Sequence, residues 1–502
     1  MTQTFPERPA DLPTTLGELR AAEHRYPAAR YRTVKRELRD NLVARMRSGE
    51  ERFPGIVGYD DTVLPEVERA LLAGHDMVLL GERGQGKTRL IRALGQLLDE
   101  WTPVIAGSEL NEHPMHPITP ASRRTVAEAG DDLPVAWLHR SMRYGEKLAT
   151  PDTSVGDLIG DVDPIRVAQG RTLGDPETIH FGLVPRTNRG IFAVNELPDL
   201  AERIQVALLN VLEERDIQVR GYQLRLPLDL LLVASANPED YTNRGRIITP
   251  LKDRFGAEIR THYPLDLDLE LDLIRQEAAL AATVPDHVLE VLARFARAVR
   301  ESPAVDARSG VSARFAIAAA ETVAAAALRR AALVGQGGSE GGDERDPVAR
   351  VGDAVSVTST LRGKVEFESG EEGREIEILA HLLRTATADA FRARLAGLDL
   401  SGFTALVADG AVIETGELVG SADLLRQVGT VPGLAKALDR LGLGDAPTPA
   451  EAAAGVEFVL EGLHLTRRLA KDTTDDGRIR YGGRDTGRDA GRDAGREPGG
   501  GR

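Results

Sequence analysis

The apolar positions of this chain fall into two regimes that change near residue 265. Upstream, short apolar runs alternate with segments of helical period. "MVLL" (Met77 to Leu80) runs straight into a glycine loop. The loop opens "TRLIRALGQLL", where Leu90, Ile91, Leu94, Leu97 and Leu98 recur at helical spacing. Further apolar runs stand at "PVIAG", "GIFAV" and "LDLLLVASA". Buried strands alternating with helices predict a parallel sheet between helices, the mark of an α/β core. Downstream the strands stop. "LDLELDLIRQEAALAATVPDHVLEVLARFARAVR", "SARFAIAAAETVAAAALRRAALV" and "EIEILAHLLRTATADAFRARLAGL" are all helical in period.

This pattern divides the chain into a charged helical extension over 1–50, an α/β core over 51–265 and a helical domain over 266–397. A Gly- and acid-rich loop, "GQGGSEGGDERDP", interrupts the helical domain near 335–347. Residues 398–470 are expected to form a small helical segment. The end, 471–502, repeats a Gly-Arg-acid unit that cannot bury a core, so a disordered tail is expected there.

Composition narrows the picture. Hydrophobic content of 42% and charged content of 28% suit a globular protein, and with 4% aromatics the core must be mostly Leu, Val, Ile and Ala. Cysteine is absent, which excludes disulfides, thiolate metal sites and cysteine catalysis and fits a reducing cytosol. The start, "MTQTFPERPADLPTT", lacks the basic-then-apolar order of a signal peptide. No run of about 18 apolar residues is present to span a membrane. A cytoplasmic protein is expected. The net charge of −15 speaks against a general polyanion binder.

The candidate chemistry begins at Gly81, Glu82, Arg83, Gly84, Gln85, Gly86, Lys87 and Thr88, which satisfy the phosphate-loop pattern G-x-x-x-x-G-K-[ST]. Glycines let the backbone turn its N–H groups inward onto phosphate oxygens, and the helix N-terminus adds partial positive charge. Lys87 is expected to reach the β- and γ-phosphates, and the Thr88 hydroxyl to ligate Mg²⁺. A plain glycine turn is the alternative, but strand, loop and helix stand in the order the motif needs. In "GIFAVNELPDL", Glu196 ends an apolar strand, where a carboxylate can polarise a water for attack on the γ-phosphate. Without the loop, Glu196 reads equally well as a surface residue. "LLLVASANPED" ends a third strand at Asn237, either a polar amide facing the γ-phosphate or an ordinary Asn-Pro turn.

In this order, "GERGQGKT", "GIFAVNEL", "ASANPED", "PLKDRFG" and "GVSARFA" resemble the AAA+ ATPases of the magnesium-chelatase I-subunit and MoxR type. "LATPDTSVGDLIGDVDPIRVAQG" and "FGLVPRTNRGIFAVNEL" look most like the chelatase branch, and "IQVRGYQLRLPLDLLLVAS" looks like the β-hairpin inserted there. The resemblance covers about residues 50 to 330. It implies an AAA+ core followed by a helical lid, with ATP and Mg²⁺ as cofactors. It makes Asn237 the sensor-one amide, Arg254 an arginine finger acting on a neighbouring subunit's ATP, and Arg314 a sensor-two arginine. On local grounds alone each arginine reads as a surface charge. A finger in trans implies a homo-oligomeric ring, a hexamer, that remodels a partner. In the family that partner carries an integrin-like metal-binding domain. No D-x-S-x-S signature for one occurs here, so a separate partner protein is implied.

The sequence departs from the family at Asn195, where an aspartate is expected. Asparagine keeps the acceptor oxygen and loses the charge, so it is expected to orient a water on Mg²⁺ with weakened metal affinity or slowed turnover. Asp199 is expected to start or cap the next helix. His113 and His116 have an H-x-x-H spacing, but proline follows each, and a loop pair without a metal is expected. Two other functions stay open. A nucleotide-gated scaffold with negligible hydrolysis has Asn195 in its favour. A DNA-directed motor has Arg220 and Arg225 of the inserted hairpin, against the acidic charge and the lack of an appended helix-turn-helix.

Overall fold

The computed structural model describes residues 8–163, 165, 168, 178–213, 216–219, 222–238, 246–306, 310–336, 346–408, 410–474 and 478–483 of the 502. The chain forms two compact units, Met1–Tyr263 and Pro264–Arg502.

In the first unit, α1 (Leu16–Ala21), α2 (Val34–Ser48) and α3 (Val63–Ala73) precede β1 (Met77–Leu80), and α4 (Lys87–Leu94) follows it. Next come β2 (Trp101–Ile105), β3 (Val135–His139), β4 (Tyr144–Leu148), β5 (Gly160–Val162), β6 (Ile179–Phe181) and β7 (Gly190–Asn195). The hairpin β8 (Asp216–Val219) and β9 (Tyr222–Arg225) then leads to β10 (Leu230–Ala236) and β11 (Ala257–Arg260). Among the described residues, five strands form a sheet in the order β11-β1-β10-β7-β4, all parallel. Strand side chains alternate between faces, and the two faces have separate cores. Val78, Leu80, Phe192, Val194, Leu232 and Ala234 pack on one side with Leu158, Ile204 and Leu251. Met77, Leu79, Ile191, Ala193, Leu231 and Val233 pack on the other with Leu38, Val67, Leu90 and Ile91.

Three expectations change in this unit. "PVIAG" does not join the parallel sheet: β2 pairs antiparallel with β3 in a ribbon of its own. The place beside β7 goes to β4, "YGEKL", whose charged Glu146 and Lys147 suit an edge strand. The charged lead-in is no extension. Leu38 and Leu42 of α2 are buried against the sheet. From the same helix Glu37 takes both guanidinium nitrogens of buried Arg143 at 2.7 Å, while Arg143 also donates to the Arg189 carbonyl. The Val34 N–H donates to Asp229 at 2.8 Å, so the start of α2 is held as well. Of the hairpin arginines, Arg220 lies outside the described residues, as does the side chain of Arg225. His113 and His116 pair through their backbones, and Tyr31 stacks on the His116 ring at 4.2 Å.

The second unit is built on helices, among them Asp286–Glu301, Ala313–Gln336, Glu375–Leu395 and Pro449–Leu465. Residues 398–470 are not purely helical, and the presumed tail is not all tail. β12 (Ile413–Thr415), β13 (Ala470–Thr473) and β14 (Ile479–Gly482) form an antiparallel sheet in the order β12-β14-β13. Tyr481 explains why: its ring is buried in the helical core, and its hydroxyl donates to Glu461. Residues 484–502 lie outside the described residues. No helix among those described is long and apolar enough to cross a membrane.

Candidate nucleotide-binding site

Strand β1 lies between β10 and β11, and its carboxyl end delivers the glycine loop into the crevice where open α/β sheets bind ligands. The Gly81 N–H donates to the Ala236 carbonyl at 3.2 Å, so the loop leaves directly from the sheet. A Cβ on Gly81 would strike the Thr261 hydroxyl and the Gln85 amide oxygen. Gly84 and Gly86 take φ of 77° and 78°, the left-handed region that glycine enters without penalty. Gly86 then caps α4.

Side chains brace the loop from outside. The Tyr59 hydroxyl donates to the Gln85 carbonyl, and burial pushes this phenol up to about 12. The Thr261 hydroxyl donates to the Gln85 side-chain oxygen at 2.8 Å, and Tyr263 donates to the Arg83 carbonyl at 2.8 Å. Glu82 is half-buried and Arg83 exposed. Lys87 is buried, with its ammonium donating to the carbonyls of Gly81 and Glu82. It therefore lies across the mouth of the loop, where it can meet a phosphate.

The carboxyl ends of β7 and β10 bring the second half of the site to the same edge. Thr88 Oγ1 donates to Asn195 Oδ1 at 3.4 Å, and Ser235 Oγ donates to the same oxygen at 3.2 Å. The Glu196 N–H donates back to Ser235 Oγ at 3.3 Å. Glu196 takes φ 56°, ψ 49°, a costly conformation for a residue with a Cβ and one that clusters at functional sites. Leu197–Asp199 form a single 3₁₀ turn and the next helix starts at Glu202, so Asp199 closes that turn and lies ahead of the helix. Asn237 follows Ala236 at the end of β10 and is buried.

Sequence reading missed Glu146. This β4 carboxylate accepts from Asn195 Nδ2 at 2.7 Å and from Tyr144 at 3.1 Å. Arg92 of α4 grips it with two bonds of 2.8 and 3.0 Å. Burial works against its charge, but Arg92, Tyr144 and Asn195 outweigh that and hold the carboxyl below the usual carboxylate range. Nothing in "YGEKL" advertises the role, because only the sheet order sets β4 beside β7.

Arg254 is not gathered here, and Arg314 belongs to the second unit. Arg254 ends the helix Thr249–Arg254 and is ion-paired with Glu213. The strand after it, β11, begins opposite Met77, so Arg254 precedes the end of β1 remote from the loop. Arg314 is exposed at the start of the helix Ala313–Gln336 in the second unit.

The donor set fits a phosphate-bound Mg²⁺. The Thr88 and Ser235 hydroxyls and the Asn195 amide oxygen converge, all of them hard ligands. Among the described residues no group of three or more His, Cys, Asp or Glu stands close enough to hold a metal ion.

No family model matches the chain. It is 28% identical over 239 residues to the magnesium-chelatase subunit ChlI of Nostoc sp., covering 46% of this chain and 60% of that protein. It is 30% identical over 239 residues to the magnesium-chelatase 38 kDa subunit of Cereibacter sphaeroides, covering 46% and 64%. The chain thus spans about three-fifths of the length of these relatives. Among solved structures, a cryo-EM-based complex of magnesium-chelatase subunits BchI and BchD overlaps 65% of this chain and 98% of its own, at 22% identity and TM-score 0.34. A mutant of Thermotoga maritima RuvB overlaps 85% and 94%, at 12% identity and TM-score 0.35. Overlaps that loose carry no weight for the site.

Proposed function

The chain is a relative of the AAA+ ATPases of the magnesium-chelatase I-subunit type, and on that premise we propose that it binds ATP with Mg²⁺ at the Lys87 loop and hydrolyses it. The observation that carries this reading is the meeting of Thr88, Asn195 and Ser235 at one edge of the sheet, beside buried Lys87 and strained Glu196. ATP supplies the γ-phosphoryl group and Mg²⁺ neutralises charge on it. The backbone N–H groups of the loop and the Lys87 ammonium hold the phosphates. Thr88 presents its hydroxyl to the metal, and Asn195 orients a metal-bound water. Glu196 accepts the proton of the attacking water, and Asn237 helps to place that water.

Arg254 acts on a neighbouring subunit, a role consistent with its position before the far end of β1. Arg314 reports the γ-phosphate to the second unit. The Arg254 role implies a homo-oligomeric ring, a hexamer. It works in the cytoplasm and remodels a separate partner that carries an integrin-like metal-binding domain.

Nucleotide binding and phosphate release, measured together, test the reading. Lys87→Ala is expected to lose nucleotide. Glu196→Gln is expected to keep it and to lose about 10²- to 10⁴-fold in turnover, the usual contribution of a general base. If the wild-type chain, assembled with ATP, releases no more phosphate than Glu196→Gln, hydrolysis is the wrong reading and a nucleotide-gated scaffold takes its place.

A further inference from the structure

Position 195 holds an amide where the ATPase reading calls for a charge, and the structure sets a carboxylate directly behind that amide. Glu146 Oε1 lies 2.7 Å from Asn195 Nδ2. An ionised carboxylate only accepts, so the amide must turn its nitrogen toward Glu146 and its oxygen toward Thr88 and Ser235. Glu146 therefore fixes which face of Asn195 looks into the site. An aspartate at 195 would press a second carboxylate against Glu146, whereas asparagine turns the contact into a hydrogen bond to a charged acceptor. Before Arg92 is counted the pair carries one negative charge, as a lone aspartate would, and the Arg92 guanidinium, largely exposed and screened by solvent, offsets only part of it. Arg92 ties that charge to the loop helix, five residues beyond Lys87.

We propose that Glu146 is a positioning residue for the metal: it supplies, from the neighbouring strand and through the Asn195 amide, the negative charge that position 195 lacks. The inference rests on the nucleotide-binding reading above. Carboxylates that hold a metal's nearest groups are commonly worth about 10- to 100-fold in metal affinity.

The test is a Mg²⁺ titration of fluorescent ATP-analogue binding to the full chain. Glu146→Gln is expected to raise the half-saturating Mg²⁺ concentration at least tenfold while binding without metal is unchanged. The double variant E146Q/N195D is expected to return it toward wild type, because one charge is restored at the neighbouring position. Arg92→Gln keeps the carboxylate and is expected not to weaken the metal response. Equal weakening by Arg92→Gln and Glu146→Gln would reduce Glu146 to one half of a structural ion pair and overturn the proposal. So would a wild-type midpoint in Glu146→Gln. If that variant does not fold, Glu146→Asp is measured instead. It retains the charge but is too short to hold the amide, and a wild-type midpoint there overturns the idea equally. Lys87→Ala separates the two levels: undiminished nucleotide binding in it sinks the nucleotide reading, and this proposal with it.

Discussion

Asn195 is held on both sides of its amide, and that makes it part of a built site. Its oxygen faces the loop hydroxyl and its nitrogen a carboxylate. Gly81 is constrained in a different way. A methyl group there meets Thr261 and Gln85, the side chains that brace the loop. Gly81→Ala is expected to cost about 1–3 kcal/mol through overpacking, and to weaken nucleotide binding by moving Gln85. Thermal unfolding and a binding titration on one preparation check both halves; an unchanged melting point and affinity would contradict the close approach. Lys87, Thr88, Glu196 and Asn237 were legible in the sequence because each belongs to a motif whose spacing is local. Glu146 was not, since it reaches Asn195 from 49 residues away across a strand pairing that no local pattern announces.

At the level of elements, the sequence showed β1, β7 and β10 plainly, because buried central strands are continuously apolar. Edge strand β4 and the C-terminal sheet were hidden by their polar residues, whereas α2 was legible as a helix and only its packing into the core was masked by its charge. The burial of α2 is instructive. "VKRELRDNLVARMRS" reads as part of a charged helical extension, yet Glu37 is buried and shares a bidentate contact with Arg143, whose side chain is 1% exposed. Burial opposes the Glu37 charge, but Arg143 outweighs it and holds the carboxyl below its ordinary range. Removing one member strands the other as an unpaired buried charge, at about 3–5 kcal/mol. Arg143→Met is therefore expected to lower the stability of the first unit by that amount in denaturant unfolding. A loss under 1 kcal/mol would show that residues 1–50 contribute little to the core.

Over the whole molecule, each unit contains a fully buried histidine. Burial, with the Arg189 charge adding to it, drives His113 down to about 2. Burial, with Arg394 adding to it, drives His287 down to about 3. Both stay neutral in the folded chain, whereas the unfolded chain binds protons below about pH 6.5. Their contribution is complete above that pH and is lost as pH falls. The loss is about 1.4 kcal/mol per pH unit for each histidine, well before Glu37 begins to titrate. Unfolding midpoints are expected to drop between pH 7 and 5, and His287→Phe to flatten the slope for the second unit. A flat profile in the wild type would count against the buried neutral state. The order β11-β1-β10 has one more consequence, for the making of the protein. Thr261, whose hydroxyl meets the Leu80 carbonyl, is 181 residues further along the chain. At about 5–20 residues per second of synthesis, "MVLL" leaves the ribosome roughly ten to forty seconds before its last neighbour is made. Until β10 is made, late in that interval, the strand that will carry the phosphate loop is an apolar segment with no strand beside it, and the nascent chain needs either a chaperone or its own helices to cover it.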